Sequence, residues 1–208
     1  MLQFDASRTV TVIAGRSGSG KSTFAIKYLL NAPDVACRFV FDPRGEFAAR
    51  LALRPATTCR SLEEAVATQW VLFDPNRMFP GKPTDAFRFF CKWVFTVCER
   101  GRGRKVLVVD EVWKYCTPLD IPLELAECVQ EGRKVELDLI FCTQRPNRLN
   151  ESITNEVTEA VCFALGGPNA IKTMSGLDVP ESVSAQLPNG QFYAVNRDTG
   201  GTLSGRVF

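Results

Sequence analysis

The sequence contains no histidine. Without imidazole, the usual mixed zinc sites are excluded. The eight cysteines are Cys37, Cys59, Cys91, Cys98, Cys116, Cys128, Cys142 and Cys162, and no two are spaced C-x-x-C. Cys37, Cys142 and Cys162 fall in or beside apolar strand-like runs, where a thiol packs as a small hydrophobe in a reducing compartment. No charged-then-apolar leader opens the chain, and no run approaches membrane-spanning length. These absences predict a cytoplasmic protein with no direct membrane insertion. A net charge of only +2 rules out a global basic field, so any nucleic-acid contact must come from local patches. Internal repeats, low-complexity segments and long linkers are lacking too, so residues 1–208 are expected to form one domain.

What is present begins with "VIAGRSGSGKSTF". Gly15-x-x-x-x-Gly20-Lys21-Ser22 fits the P-loop at every fixed position. Val10–Ala14 before it is apolar and β-branched, as a buried strand should be. "TFAIKYLL", Thr23–Leu30, reads as a helix with an apolar face. The glycines therefore occupy a strand-to-helix turn, where the backbone must curl and approach a ligand closely. The N–H groups of Gly15, Arg16, Ser17, Gly18, Ser19, Gly20, Lys21, Ser22 and Thr23 are expected to cradle phosphates at the helix N-terminus. Lys21 would reach the β and γ phosphates of ATP, and the Ser22 hydroxyl would ligate Mg²⁺. The bland alternative is a flexible Gly/Ser turn with an accidental lysine.

Strand-like runs recur at Val10–Ala14, Arg38–Phe41, Trp70–Phe73, Val106–Val109, Leu137–Thr143 and Ala160–Leu165. Helical patterns lie between them at Thr23–Leu30, Leu62–Ala67, Thr84–Cys98 and Leu123–Lys134. This alternation predicts an α/β fold with a mostly parallel sheet covered on both faces. The tail differs: two short strand-like runs flank Asp198–Gly201, predicting an antiparallel hairpin at the sheet edge.

"KVLVVDEVW" carries the next chemistry. Four apolar residues end in Asp110 and Glu111. Ligands of parallel sheets collect beyond the carboxyl ends of strands, which places both acids near the P-loop. Asp110 would hold the Mg²⁺ shell, and Glu111 would orient or deprotonate a water attacking the γ-phosphate. A kinase uses its acceptor hydroxyl instead, so adjacent carboxylates favour hydrolysis over transfer. "LDLIFCTQRP" then brings Gln144 to the same edge, where its amide can bond both the water and the γ-phosphate. The plain alternatives are solvated acids and a polar strand end.

The order P-loop, "FDPRGEF", "VVDE" and "EGRKVELDLIFCTQRP" resembles the FtsK/HerA superfamily of DNA-translocating ATPases over roughly residues 8 to 165. Within it, the short chain is similar to the genome-packaging ATPases of membrane-containing, tailless double-stranded DNA viruses. The resemblance implies a RecA/FtsK-like P-loop NTPase that assembles as a homo-oligomeric ring, commonly a hexamer. It would thread double-stranded DNA with ATP, docked on a capsid vertex or portal protein, in the host cytoplasm or on the virion. It matches the family's Walker lysine to Lys21, its Walker B acids to Asp110 and Glu111, and its sensor glutamine to Gln144. Arg133 matches an arginine that would reach a neighbouring subunit's ATP, with Arg145 second. Against that, Arg133 and Lys134 could simply complement a helix macrodipole.

Four stretches offer charge to DNA: "ERGRGRK" at 99–105, read as a flexible loop with three arginines and a lysine, "NRMFPGKP" at 76–83, "RPNRLN" at 145–150 and "WKYC" at 113–116. The first precedes the Asp110 strand and so should lie at the sheet edge opposite the ATP. The sequence does not choose among them. The reading from a different class is a small P-loop phosphotransferase, and a third is a nucleotide-binding regulator.

Overall fold

The structure, a computed structural model, describes residues 8–208. The opening segment, read above as carrying no leader, lies outside the described residues. Strand β1 (Val10–Ala14) leads through the glycine turn into α1 (Lys21–Leu30) and β2 (Val35–Phe41). Helices α2 (Glu46–Leu51) and α3 (Cys59–Val66) precede β3 (Trp70–Phe73). Next come α4 (Pro75–Met78), α5 (Pro83–Arg100), β4 (Arg104–Val109), α6 (Leu123–Glu131) and β5 (Leu137–Thr143). The chain continues with α7 (Glu151–Thr154), β6 (Glu159–Cys162), α8 (Pro168–Ser175) and α9 (Glu181–Ser184), and closes with β7 (Gln191–Asn196) and β8 (Thr202–Arg206).

The eight strands form one sheet in the order β3-β2-β4-β5-β1-β6-β7-β8. Every pairing from β3 to β6 is parallel. The β7–β8 hairpin adds an antiparallel edge beside β6. The expected α/β architecture and its terminal hairpin are both present. β1, β4 and β5 are fully buried but for the first residue of β4, as central parallel strands with both faces covered must be.

Two apolar layers hold the helices. On one face Phe41 packs against Phe73, Phe87, Phe90 and Tyr115, with Phe87 crossing it edge-on at 5.1 Å. On the other, Phe24 of α1 meets Phe163 and Phe192 at 6.0 and 4.8 Å. Truncating one such buried ring costs about 3–5 kcal/mol. The fixed sheet these layers produce sets where the strand ends point.

Several boundaries differ from the sequence reading by one to three residues, and three of them have a plain local reason. β6 stops at Cys162 instead of running to Leu165, because the Ala164 carbonyl turns to accept from Arg16 N at 2.8 Å. α6 stops at Glu131, and Gly132–Val135 tighten into a 3₁₀ turn that ends at Glu136 with φ 54°. β2 begins at Val35 because its first residues pair with β4 across a register shift.

The basic stretch at 99–105 is also corrected. It lies at the amino edge of the sheet, opposite the glycine turn, but it is not wholly a free loop. Arg104 and Lys105 belong to β4, and Arg104 pairs with the buried Asp138. Lys105 is buried and donates to the carbonyls of Cys98, Gly101 and Val135 at 3.3, 2.9 and 2.9 Å. Arg100 and Arg102 remain exposed.

Among the described residues, no helix is long and apolar enough to cross a membrane.

Candidate functional site

The glycine turn is pinned from behind. Gly15 N donates to Thr143 O of β5 at 3.1 Å, and Arg16 N to Ala164 O after β6. A Cβ on Gly15 would lie 2.5 Å from Ser19 Oγ and 2.6 Å from Phe163 Cβ. Gly20 has φ +115°, and a Cβ there would sit 2.6 Å from Val207 Cγ2. Both positions therefore require glycine. Lys21 is buried, and its ammonium donates to Arg16 O across the turn at 3.0 Å. Burial lowers its pKa, against the pull of Glu111, Asp110 and Glu46. Ser19 Oγ is buried with no hydrogen-bond partner among the described residues. The turn that leads into β7 braces the glycine turn: Asn189 Nδ2 donates to Gly18 O at 3.2 Å, and Gly190 N to Ser19 O at 3.2 Å.

The carboxyl ends of β4, β5 and β2 bring their polar residues onto the same cleft, a cavity of about 220 Å³. Asp110 is buried, and its pKa is pushed up to about 7, mainly by desolvation and then by Glu111, Glu46 and Asp42. Glu111 follows in the left-handed region, at φ 54°. That turn redirects its side chain into a cage. Gln144 Nε2 donates to one carboxylate oxygen and Trp113 Nε1 to the other. The Arg44 guanidinium lies 3.4 Å from the first. Ser22 Oγ donates to Glu46 Oε2 at 2.9 Å, while Asp42 accepts from Glu46 N and Ala48 N at the start of α2. Arg50 Nη1 donates to Thr23 Oγ1.

Of the residues expected from sequence, Ser17, Gly18, Gly20, Lys21, Ser22, Thr23, Asp110, Glu111 and Gln144 line this one cleft. Gly15, Arg16 and Ser19 complete the turn behind it. Arg133 is not brought there. It sits exposed in the turn before β5, at the amino edge of the sheet. Arg145 stacks on Trp113, 4.7 Å from the ring centroid. Sequence reasoning assigned no role to Asp42, Arg44, Glu46 and Arg50, although "FDPRGEF" follows β2 just as "VVDE" ends β4. Phe208, at the mouth of the cleft, was missed as well.

The donor set is hard oxygen: the Ser22 hydroxyl and the Asp110 carboxylate, with Glu46 bonded to the former. No group of three or more His, Cys, Asp or Glu side chains among the described residues could hold a metal ion. Two oxygen donors beside a phosphate cradle suit Mg²⁺, which keeps several waters and shares its shell with phosphate oxygens.

No protein-family model and no curated protein matches the sequence. Solved structures match in fold. The genome packaging NTPase B204 from Sulfolobus turreted icosahedral virus 2, in complex with AMP, is 19% identical with a TM-score of 0.72, over 98% of each chain. B204, the DNA-packaging ATPase from Sulfolobus turreted icosahedral virus, is 19% identical with a TM-score of 0.69, over 97% of this chain and 98% of that one. VirB4 of Thermoanaerobacter pseudethanolicus is 14% identical with a TM-score of 0.68, over 98% of this chain and 90% of that one. At these identities the likeness speaks for the fold, and it agrees with the resemblance read from the motifs: this chain has the P-loop fold of the genome-packaging ATPases.

Proposed function

We propose that the chain is an ATP-hydrolysing motor that moves double-stranded DNA, as in viral genome packaging. The observation that carries this reading is the convergence of Lys21, Ser22, Asp110, Glu111 and Gln144 on one cleft. Phosphates entering the glycine turn take the bonds that Lys21 now gives to Arg16 O. Ser22 and Asp110 hold Mg²⁺, which when bound neutralises phosphate charge. Glu111 takes a proton from water as the water oxygen attacks the γ-phosphorus. The bond to the ADP oxygen breaks, leaving ADP and phosphate. Gln144, bonded to Glu111, distinguishes a bound γ-phosphate from its absence.

Each Glu111 oxygen accepts one hydrogen bond and keeps a lone pair for water, so the two donors fix the orientation of the carboxylate. A change that releases either donor lets the carboxylate turn toward an attacking water. Arg133 stands at the amino edge, exposed and in no ion pair among the described residues. From there it serves a neighbouring subunit rather than its own cleft, which accords with a ring, taken as a hexamer. A capsid vertex or portal protein would be its dock.

The test is ATP hydrolysis with and without duplex DNA, alongside light scattering with a non-hydrolysable ATP analogue. The expected result is a ring whose phosphate release rises with DNA. A monomer that passes the phosphoryl group to an added nucleoside monophosphate would instead establish a kinase.

A further inference from the structure

Trp113 stands between the caged Glu111 and a cluster of cations. Its indole N–H donates to Glu111 Oε2. Around its ring lie the Arg145 guanidinium at 4.7 Å, the Lys114 ammonium at 5.9 Å and the Arg148 guanidinium at 6.0 Å from the centroid. These cations come from two segments: Lys114 from the turn after β4, and Arg145 and Arg148 from the turn after β5. The parallel β4–β5 pairing brings the two turns side by side. All three side chains are exposed, and none forms an ion pair with a carboxylate among the described residues. Some exposed cations elsewhere are neutralised, Arg88 by Glu124, Lys92 by Glu127 and Arg60 by Glu64, while others such as Arg100, Arg102 and Arg133 form no such pair among the described residues. What sets Lys114, Arg145 and Arg148 apart is that they share one aromatic ring. Lysine and arginine left uncompensated on one aromatic platform are what phosphates along a backbone recognise.

We propose that Lys114, Arg145 and Arg148, gathered on Trp113, form the surface that takes the backbone phosphates of DNA, and that Trp113 is a positioning residue relaying this contact to Glu111. The relay follows from the two ends of one rigid side chain. A cation over the ring face is held at a cost comparable to a weak hydrogen bond, and a phosphate outcompetes the ring for it. When phosphates draw the guanidinium groups off the ring, the indole loses the contacts that fix its plane. Its N–H then leaves Glu111 Oε2, and the carboxylate becomes free to turn toward the attacking water. The proposal rests on the motor reading above. It selects two of the four basic stretches and sets aside the 99–105 stretch, where Arg104 and Lys105 are bonded internally.

The test has two arms. In the first, fluorescence anisotropy follows a labelled duplex titrated with wild type, Lys114→Gln/Arg148→Gln and Arg100→Gln/Arg102→Gln. All four substituted residues are exposed, so folding is not at stake. The Lys114/Arg148 pair should weaken binding about tenfold at moderate salt and lower the salt slope by about two. The Arg100/Arg102 pair should bind like wild type. Equal binding by both pairs, a larger loss in the second pair, or tighter binding of polyglutamate than of duplex by wild type would each overturn the surface. In the second arm, Trp113→Phe keeps a ring for the cations and removes the N–H. Its duplex affinity should stay within about twofold of wild type, while added DNA no longer changes its rate of ATP hydrolysis. Stimulation equal to wild type would overturn the relay. If wild type binds the duplex through these residues but hydrolyses no ATP, the relay falls with the motor reading and the surface stands.

Discussion

Gln144 and Glu111 are hydrogen bonded side chain to side chain, amide to carboxylate, across the carboxyl ends of β5 and β4. Neighbouring parallel strands make this contact. Phe141 pairs with Val109 in the register, so the residues that follow each strand emerge together. The amide is therefore placed to report on the γ-phosphate through the same group that performs the chemistry.

Gln144→Ala should leave ATP affinity within about threefold, since Lys21 and the turn supply the phosphate contacts. The DNA-stimulated increment in hydrolysis should fall at least about tenfold, because the link from γ-phosphate to Glu111 is gone. Equilibrium nucleotide binding and phosphate release on the same preparation would decide it. Unchanged stimulation would remove Gln144 from the site.

Asp110 gives a pH signature. Its pKa in the folded chain is raised from 3.8 to about 7, first by burial and then by Glu111, Glu46 and Asp42. The folded chain thus keeps a proton that the unfolded chain loses near 3.8. This group's penalty is absent below that pH, grows as pH rises, and is complete above about 7. Asp110→Asn should match the wild type in stability at pH 3.5 and exceed it at pH 8 by up to ~4 kcal/mol in nucleotide-free protein. Urea melts of both proteins across that range measure it, and a difference that does not vary with pH would refute the assignment.

Much of this site was legible because it is written at strand ends. The glycine turn, Asp110–Glu111 and Gln144 each follow a short apolar run, and in a parallel sheet such ends share one edge. What escaped notice depends on three-dimensional neighbours. Arg44 and Glu46 reach the cleft because β2 lies beside β4, although Ser22 and Glu46 are 24 residues apart. Trp113 bonds Glu111 only because Glu111 takes a left-handed turn, which no residue preference announced for a glutamate. Lys105 read as loop charge because the identity of a lysine says nothing of the three carbonyls that surround it. The hairpin was legible as strands, but the brace that Asn189 and Gly190, just before β7, give the glycine turn required the fold.

Lys105→Met should test that misread charge. The substitution keeps most of the volume and leaves the carbonyls of Cys98, Gly101 and Val135 without their shared donor. A loss of about 2–4 kcal/mol in unfolding free energy is expected. Duplex affinity of the folded fraction should not change. A stable variant with weakened DNA binding would return the 99–105 stretch to the list of contacts.

Arg133 can be tested by mixing. If it acts in trans, Arg133→Ala and Glu111→Gln subunits are each inactive alone. A mixed ring contains interfaces that join an intact Arg133 to an intact Glu111. Because an arginine finger contributes about 10³–10⁵ in rate, a minority of repaired interfaces should restore measurable hydrolysis. Tagged subunits establish that exchange has occurred. Mixed rings without recovery at any ratio would return Arg133 to the role of a charge near the end of α6, and Arg145 would be examined next.

The central claim, that this cleft hydrolyses ATP with Glu111 as the proton acceptor, is tested most directly by a single-turnover experiment with γ-labelled ATP. Wild type should release labelled phosphate. Glu111→Gln, which keeps the shape of the side chain and loses its basicity, should bind ATP as tightly and release phosphate about 10²–10⁴-fold more slowly. Release by the variant at the wild-type rate, or none by the wild type with Mg²⁺ and duplex DNA present, would contradict the account.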